Sequence, residues 1–241
     1  AYYNEAAVGR AWRTSGIARE DLFLVTKVWI SNAGDERAAK SIDESLRKLE
    51  TDYIDLLLIH QAFGDYYGTY RAMQKALEAG KVRAIGLSNF VDARFVDLVE
   101  NMEVKPAVLQ LETHVFSQQK RMRELMAPYG TRLMAWAPLA EGRNGIFSHP
   151  TLTAIGAKYG KTAAQTALRF LMAEDVIAIP KSVHRERLVE NFSIDDFELS
   201  AEDLDAIRAL DGGKPMFADF NDPTLAKFLL EYDAKFNPER Q

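Results

Sequence analysis

The chain has 241 residues, 47% of them hydrophobic, and no cysteine, so one large core is within reach while disulfides, thiolate metal sites and thiol nucleophiles are excluded. A formal charge of −5 argues against a general affinity for nucleic acid or for an anionic membrane. No apolar run approaches the roughly 20 residues of a membrane span and no signal peptide opens the chain, so a cytoplasmic protein is the expectation.

Taken in chain order, Asn4 is placed to cap a helix carrying Val8, Ala11 and Trp12 and closed by Gly16. The apolar stretch LFLVTK then ends at Lys27, beside Trp29. Ile42, Leu46 and Leu49 fall at i, i+4 and i+7 and give a second helix one apolar face, after which YIDLLLIH runs to His60. Met73, Leu77 and the closing Gly80 mark a third helix, and VRAIGLSN ends at Asn89. Phe95, Leu98, Val99 and Met102 mark a fourth, followed by AVLQLE to Glu112 and RLMAWAP to Pro138. Thr162 and Gln165 form a capping box that opens an Ala-rich helix through Leu171, and VIAIPKS ends at Ser182. Ser200 and Asp203 open a further helix with Leu204, Ile207 and Leu210 on its buried side. From Gly212 to Gln241 no clear element is expected; Phe217, Phe220, Phe228 and Tyr232 would either cover a site or pack on the outside.

Six apolar stretches that each run into polar groups, with room for a helix between them, predict an α/β fold with a parallel sheet: a (β/α) barrel, read as one domain over 1–241, whose chemistry lies at the carboxyl ends of the strands. Lys27 and His60, on sequential strands, then converge on one mouth. No HxxxH or carboxylate pair with metal spacing accompanies them, so a metal site is not expected. The chain lacks GxGxxG, and Gly156-Ala-Lys-Tyr-Gly160-Lys161-Thr162 has three residues between its glycines where a phosphate loop needs four, so Gly160 reads as a helix C-cap. Lys181, Ser182 and Arg187 stand at a helix start and are suited to a phosphate, with Glu190 and Asn191 one turn on for an adenine edge; the plainer reading is a solvated basic helix end.

The pieces Ala1-Tyr2-Tyr3-Asn4-Glu5, Val25-Thr-Lys27-Val-Trp29, Asp55-Leu-Leu-Leu-Ile-His60, Ile85-Gly-Leu-Ser88-Asn89-Phe90, Gln110-Leu-Glu112, Ala135-Trp136-Ala-Pro138-Leu139 and Ile179-Pro-Lys181-Ser182 resemble the aldo-keto reductases in order and spacing. His60-Gln61 and Ala140-Glu-Gly142-Arg143-Asn144-Gly145 look most like the bacterial 2,5-diketo-D-gluconate reductase branch. The resemblance implies a (β/α)8 TIM barrel that reduces aldehydes or ketones with NADPH and without a metal. It makes Tyr2 the general acid, with Tyr3 the alternative if the register slips, Lys27 the ammonium that lowers the tyrosine pKa, and His60 the group that orients the carbonyl. It gives Ser88, Asn89 and Gln110 to the carboxamide, Trp136 to stacking on the nicotinamide, and Ala137 and Leu139 to the pyrophosphate channel. Lys181, Ser182, Val183 and Arg187 would hold the 2′-phosphate end, Glu190 and Asn191 the adenine, while Trp29 and Phe63 wall the substrate pocket.

Against that pattern the chain lacks two strands at its N-terminus and the aspartate that supports the lysine, and Ala62 replaces a common proline. Partners are expected to be a small carbonyl compound, with neither nucleic acid nor membrane, and nothing in the sequence demands more than a monomer. Two other readings stay open: a Schiff-base lyase using Lys27 or Lys181, and a cofactor-binding regulatory module with little turnover.

Overall fold

The computed structural model describes residues 2–236, with no side chains described for 234–236. Ala1 of the first motif and residues 237–241 of the expected tail lie outside the described residues. The fold is α/β of the (β/α) barrel type, with six strands following chain order in one sheet among the described residues. The chain divides into two compact units, Ala1–Leu109 with Asp219–Gln241, and Gln110–Ala218. No helix of the described residues is long and apolar enough to cross a membrane.

The first unit runs α1 (Glu5–Ser15), β1 (Val25–Val28), α2 (Asp35–Leu49), β2 (Leu56–Ile59), α3 (Tyr66–Glu78), β3 (Ile85–Ser88) and α4 (Ala93–Asn101). β2 and β3 are buried along their whole length, the burial expected of parallel strands covered on both faces. β1 pairs parallel with β2, Lys27 opposite Leu58 and Val28 opposite Ile59, and β2 pairs parallel with β3, Leu58 opposite Gly86. Because alternate residues share a face of a strand, Lys27, Leu58 and Gly86 form one tier; one step on, Trp29, His60 and Ser88 form the next. Gly86 is required in the lower tier, since a Cβ there would stand 2.6 Å from the Val108 carbonyl oxygen and 2.8 Å from Leu58 Cδ2.

Asp55, buried just before β2, ties the unit together at the other end of the strands. Its carboxylate accepts from Arg19 at 2.7 Å and the Leu24 N–H at 2.9 Å, with Arg83 at 3.3 Å, and the Arg19 and Arg83 guanidiniums lie 3.9 and 3.7 Å from the Tyr53 ring centre. α1 is fastened more lightly: Trp12 Nε1 donates to the Leu49 carbonyl at 2.7 Å, and Thr26 donates from the far face of β1 to Glu5 at 2.6 Å.

The second unit takes over within β4 (Val108–Glu112) and continues with α5 (Lys120–Met126), β5 (Arg132–Trp136), α6 (Pro150–Lys158), α7 (Ala163–Ala173), β6 (Ile177–Ala178), α8 (Arg185–Phe192) and α9 (Ala201–Arg208). β6 is short and pairs parallel with β5 through Met134–Ile177 and Ala135–Ala178. The Thr162–Gln165 capping box opens α7 with both of its hydrogen bonds made. The glycine-rich stretch before it is a packing turn: a Cβ on Gly156 would meet the Lys161 carbonyl oxygen at 2.5 Å, and Gly160 follows α6 at φ +66°.

The stretch from Gly212 departs from the element-free expectation, because α10 (Pro223–Phe236) fills much of it in the first unit. Its start signal was present in the sequence: the Asp222 carboxylate accepts the Thr224 N–H at 2.8 Å and Pro223 supplies the preset φ of a first helical residue. Replacing Gly86 by alanine should cost about 1–3 kcal/mol by overpacking, lowering the thermal midpoint by several degrees in a calorimetric scan. An unchanged midpoint would show that the tier is looser than described.

Candidate active site

The upper tier of the first unit gathers the residues expected to carry the chemistry. His60 follows β2 and is held level with β1 by its N–H bond to the Val28 carbonyl, 3.0 Å long. Tyr2, ahead of α1, places its hydroxyl 3.3 Å from His60 Nε2, while Tyr3 is 90% exposed and sits at φ +52°. Trp29 meets His60 edge to face with ring centres 4.9 Å apart. Lys27 comes from the tier below, its ammonium 5.1 Å from the Tyr2 ring centre.

Burial governs the ionisation of all three groups. It pushes the His60 pKa down to about 3, the Lys27 ammonium adding to the effect, so the imidazole is neutral near pH 7. It pushes Lys27 down. Desolvation pushes the Tyr2 phenol up, which corrects the expected lowering by Lys27: the ammonium faces the ring, and among the described residues no hydrogen bond joins it to the hydroxyl. Tyr2 as a whole is 66% exposed, with its hydroxyl turned toward His60.

Ser88 is buried in this tier, and Asn89, at φ +62°, donates its amide to the His60 carbonyl at 3.2 Å and to Gln61 Oε1 at 3.3 Å. Asn89 therefore braces the loop that carries His60 as well as standing at a strand end. Phe63 is buried with the Arg94 guanidinium 5.1 Å from its ring centre, so one ring face is already covered.

In the second unit, Gln110 is buried and its amide donates to Met134 Sδ at 3.0 Å. Trp136 ends β5, with Phe217 packed against it at 5.6 Å between ring centres. Ala137 takes a left-handed φ of +51° and its carbonyl accepts the Ala140 N–H at 2.8 Å, while Leu139 packs against the cluster of Leu168, Ile194 and Phe197. Lys181, Val183 and Arg187 are exposed at the start of α8, and Ser182 accepts the His184 N–H at 3.1 Å. Neither Lys181 nor Arg187 forms an ion pair among the described residues. Glu190 is drawn elsewhere, accepting from Thr162 Oγ1 at 2.6 Å. Asn191 lines a groove of about 690 Å³ together with Ile177, Pro180, Leu188 and Phe192.

Comparison with known proteins decides what this arrangement belongs to. The model of the Aldo/keto reductase family matches residues 1–212. The chain belongs to that family. It is 42% identical over 210 residues to the glyoxal reductase of Bacillus subtilis (strain 168), covering 87% of this chain and 75% of the relative. A solved structure put forward as 2,5-diketo-D-gluconic acid reductase B superposes with a TM-score of 0.86 at 39% identity, covering 92% of this chain and 80% of that one, consistent with the branch suggested by the motifs. An aldo-keto reductase of Bombyx mori in complex with NADP superposes with a TM-score of 0.83 at 32% identity, covering 91% and 79%.

Two features of the structure escape a reading by motif alone. Thr26 and Glu5 bond across β1 and so set where the segment bearing Tyr2 meets the strand, and Glu112, quoted only as part of a motif, gathers the residues before α10. Alternation along β1 places Thr26 opposite in face to Lys27, but nothing in the sequence names its partner. The pH consequence of His60 has a definite sign. Its folded pKa of about 3 lies below the ordinary value of about 6.5, so the unfolded chain takes up the proton first. Stability tied to the neutral ring is present above about pH 6.5 and drains away as the pH falls toward 3. Nitrogen NMR of the ring should keep a neutral pattern from about pH 8 to about pH 5; an imidazolium pattern in that window would contradict the burial argument.

Proposed function

We propose that this chain reduces small aldehydes and ketones, α-dicarbonyl compounds among them, with NADPH, and that Tyr2 donates the proton. The observation that carries the proposal is the Tyr2 hydroxyl 3.3 Å from the neutral His60 Nε2, on the strand face that Lys27 shares. The likeness to a glyoxal reductase supports the substrate class, and the likeness to an NADP complex supports the cofactor.

Bound NADPH supplies the hydride. The protein's part is to receive the carbonyl oxygen and hand it a proton. A phenol whose pKa is raised stays protonated near neutrality, which is the form a donor needs for reduction. The neutral His60, with Nε2 turned to Tyr2, can hydrogen-bond the same oxygen and fix its direction without competing as a stronger acid. Lys27 keeps positive charge beneath the phenol ring and favours the phenolate left after transfer.

The donor set at α8 fits the phosphate of NADPH. Lys181 offers a point charge and Arg187 a planar fork, both exposed and without ion-pair partners among the described residues, at the start of a helix whose free N–H groups favour an anion. We assign Ser182 and Val183 to the same turn, and Ser88, Asn89, Gln110, Trp136, Ala137 and Leu139 to the rest of the cofactor. We assign Glu190 and Asn191 to the adenine edge; Thr162 bonds Glu190 Oε1 and leaves Oε2 to accept.

Replacing Tyr2 by phenylalanine should lower kcat for aldehyde reduction about 10²–10⁴-fold and leave the dissociation constant of NADPH within about twofold. Retained turnover would remove Tyr2 from the mechanism. Lys181→Ala and Arg187→Ala should each weaken NADPH about tenfold or more and NADH little; equal weakening of both would remove the 2′-phosphate assignment. The lowered Lys27 pKa is also what a Schiff-base amine needs. Borohydride treatment with a carbonyl substrate should give no lysine adduct, and an adduct at Lys27 would favour the lyase instead.

A further inference from the structure

Glu112 is a buried carboxylate at the end of β4 to which the reaction above gives no part. Three donors converge on it. Oε1 accepts the Met216 N–H at 2.5 Å, Oε2 accepts the Phe217 N–H at 3.1 Å, and His114 Nε2 stands 3.2 Å from Oε1. The tautomer of His114 follows from its other nitrogen: Nδ1 accepts the Phe116 N–H at 3.2 Å, which leaves the proton on Nε2 to donate to Glu112. Burial opposes the charged form of Glu112, but these donors together outweigh it and hold the pKa below the ordinary range. The carboxylate is thus a charged, fully engaged pin, and its two backbone partners lie 104 and 105 residues away in sequence.

What the pin holds is an aromatic strap. Phe217 packs on Trp136 at 5.6 Å and 58°, and on His114 at 6.1 Å. The Arg143 guanidinium lies 4.5 Å from the Phe217 ring centre, and Asn144 Nδ2 reaches Met216 Sδ at 3.5 Å. Arg143 and Asn144 stand between Gly142 and Gly145, both at positive φ, in the loop that follows β5. Residues 216 and 217 are therefore gripped from two directions, by the end of β4 and by the loop after Trp136.

We infer that Glu112 is a positioning residue that pins Phe217 across Trp136 and thereby controls how long the cofactor stays bound. The inference rests on the assignment of Trp136 as the stacking face for nicotinamide. Because Phe217 packs on Trp136, a flat ring stacked on that indole would enter and leave past the strap, which the bonds from Glu112 to the backbone hold in place. Glutamine at 112 keeps one acceptor but turns an NH2 group against a backbone N–H or the His114 donor, so it breaks the grip with almost no change in volume.

Glu112→Gln and Phe217→Ala should each raise the stopped-flow dissociation rate of NADPH about tenfold, and the double variant should show little beyond either one, because both remove the same device. Phe217→Tyr, which keeps the ring, should retain the wild-type rate. Without cofactor, acrylamide quenching of tryptophan fluorescence should rise in Glu112→Gln and in Phe217→Ala, and that rise should vanish in a Trp136→Phe background. Multiplying effects in the double variant, or a Glu112→Gln chain with a lowered melting point but unchanged release and quenching, would overturn the inference. If Glu112→Gln does not fold, Phe217→Ala decides: no increase in quenching refutes the strap. A wild-type chain that binds no NADPH would instead sink the cofactor assignment and leave quenching as the test of the strap.

Discussion

The parallel register of β1, β2 and β3 is the constraint on which the proton-handling half of this reductase depends. In a pleated strand a slip of one residue reverses every side chain. With Lys27 opposite Leu58 and Leu58 opposite Gly86, the tier above them brings Trp29, His60 and Ser88 onto one face. A one-residue slip would send His60 into the layer where Thr26 meets Glu5. The Asp55 clamp and the close approach at Gly86 protect that register from its two ends, one by charge and hydrogen bonding, the other by the absence of a side chain.

The residues proposed for proton transfer and those proposed for phosphate binding stand in opposite environments. The groups proposed to handle the proton are desolvated: His60 is kept neutral, and burial pushes the Tyr2 phenol up and the Lys27 ammonium down. The cations proposed to bind the phosphate, Lys181 and Arg187, are exposed at the start of α8 and form no ion pair among the described residues. A phosphate arriving there gains charge-assisted bonds against modest desolvation, whereas a charge placed at the upper tier would be expensive.

Glu112 joins a third physical device to these. A buried carboxylate satisfied by three donors is costly to disturb and specific in geometry. It is therefore well suited to holding a loop whose own residues, exposed through 212–215, contribute little to a core. Of the four aromatics in the last part of the chain, Phe217 is drawn over Trp136, whereas Phe228 and Tyr232 pair with each other while remaining about half exposed, at 59% and 48%.

Much of this was legible in the sequence because the interactions concerned are local. Apolar runs with polar ends located all six strands, the Thr162–Gln165 box opened its helix, and spacing brought Lys27 and His60 to consecutive strand ends. α10 was missed although Asp222 and Pro223 announce it, since its apolar residues lack a clear period beside the preceding loop. The pKa of Tyr2 was misjudged for a different reason: sequence places an ammonium nearby but does not say whether it meets the hydroxyl or the ring face. By itself the sequence determined the strand and helix order, the family and the residue types available for catalysis, because these follow from periodicity, capping and motif spacing. Only the tertiary structure decided that Tyr2 rather than Tyr3 faces His60, that Thr162 occupies Glu190, and that Glu112 reaches Met216 and Phe217. Those outcomes depend on distances between segments far apart in the chain and on the water each pairing excludes.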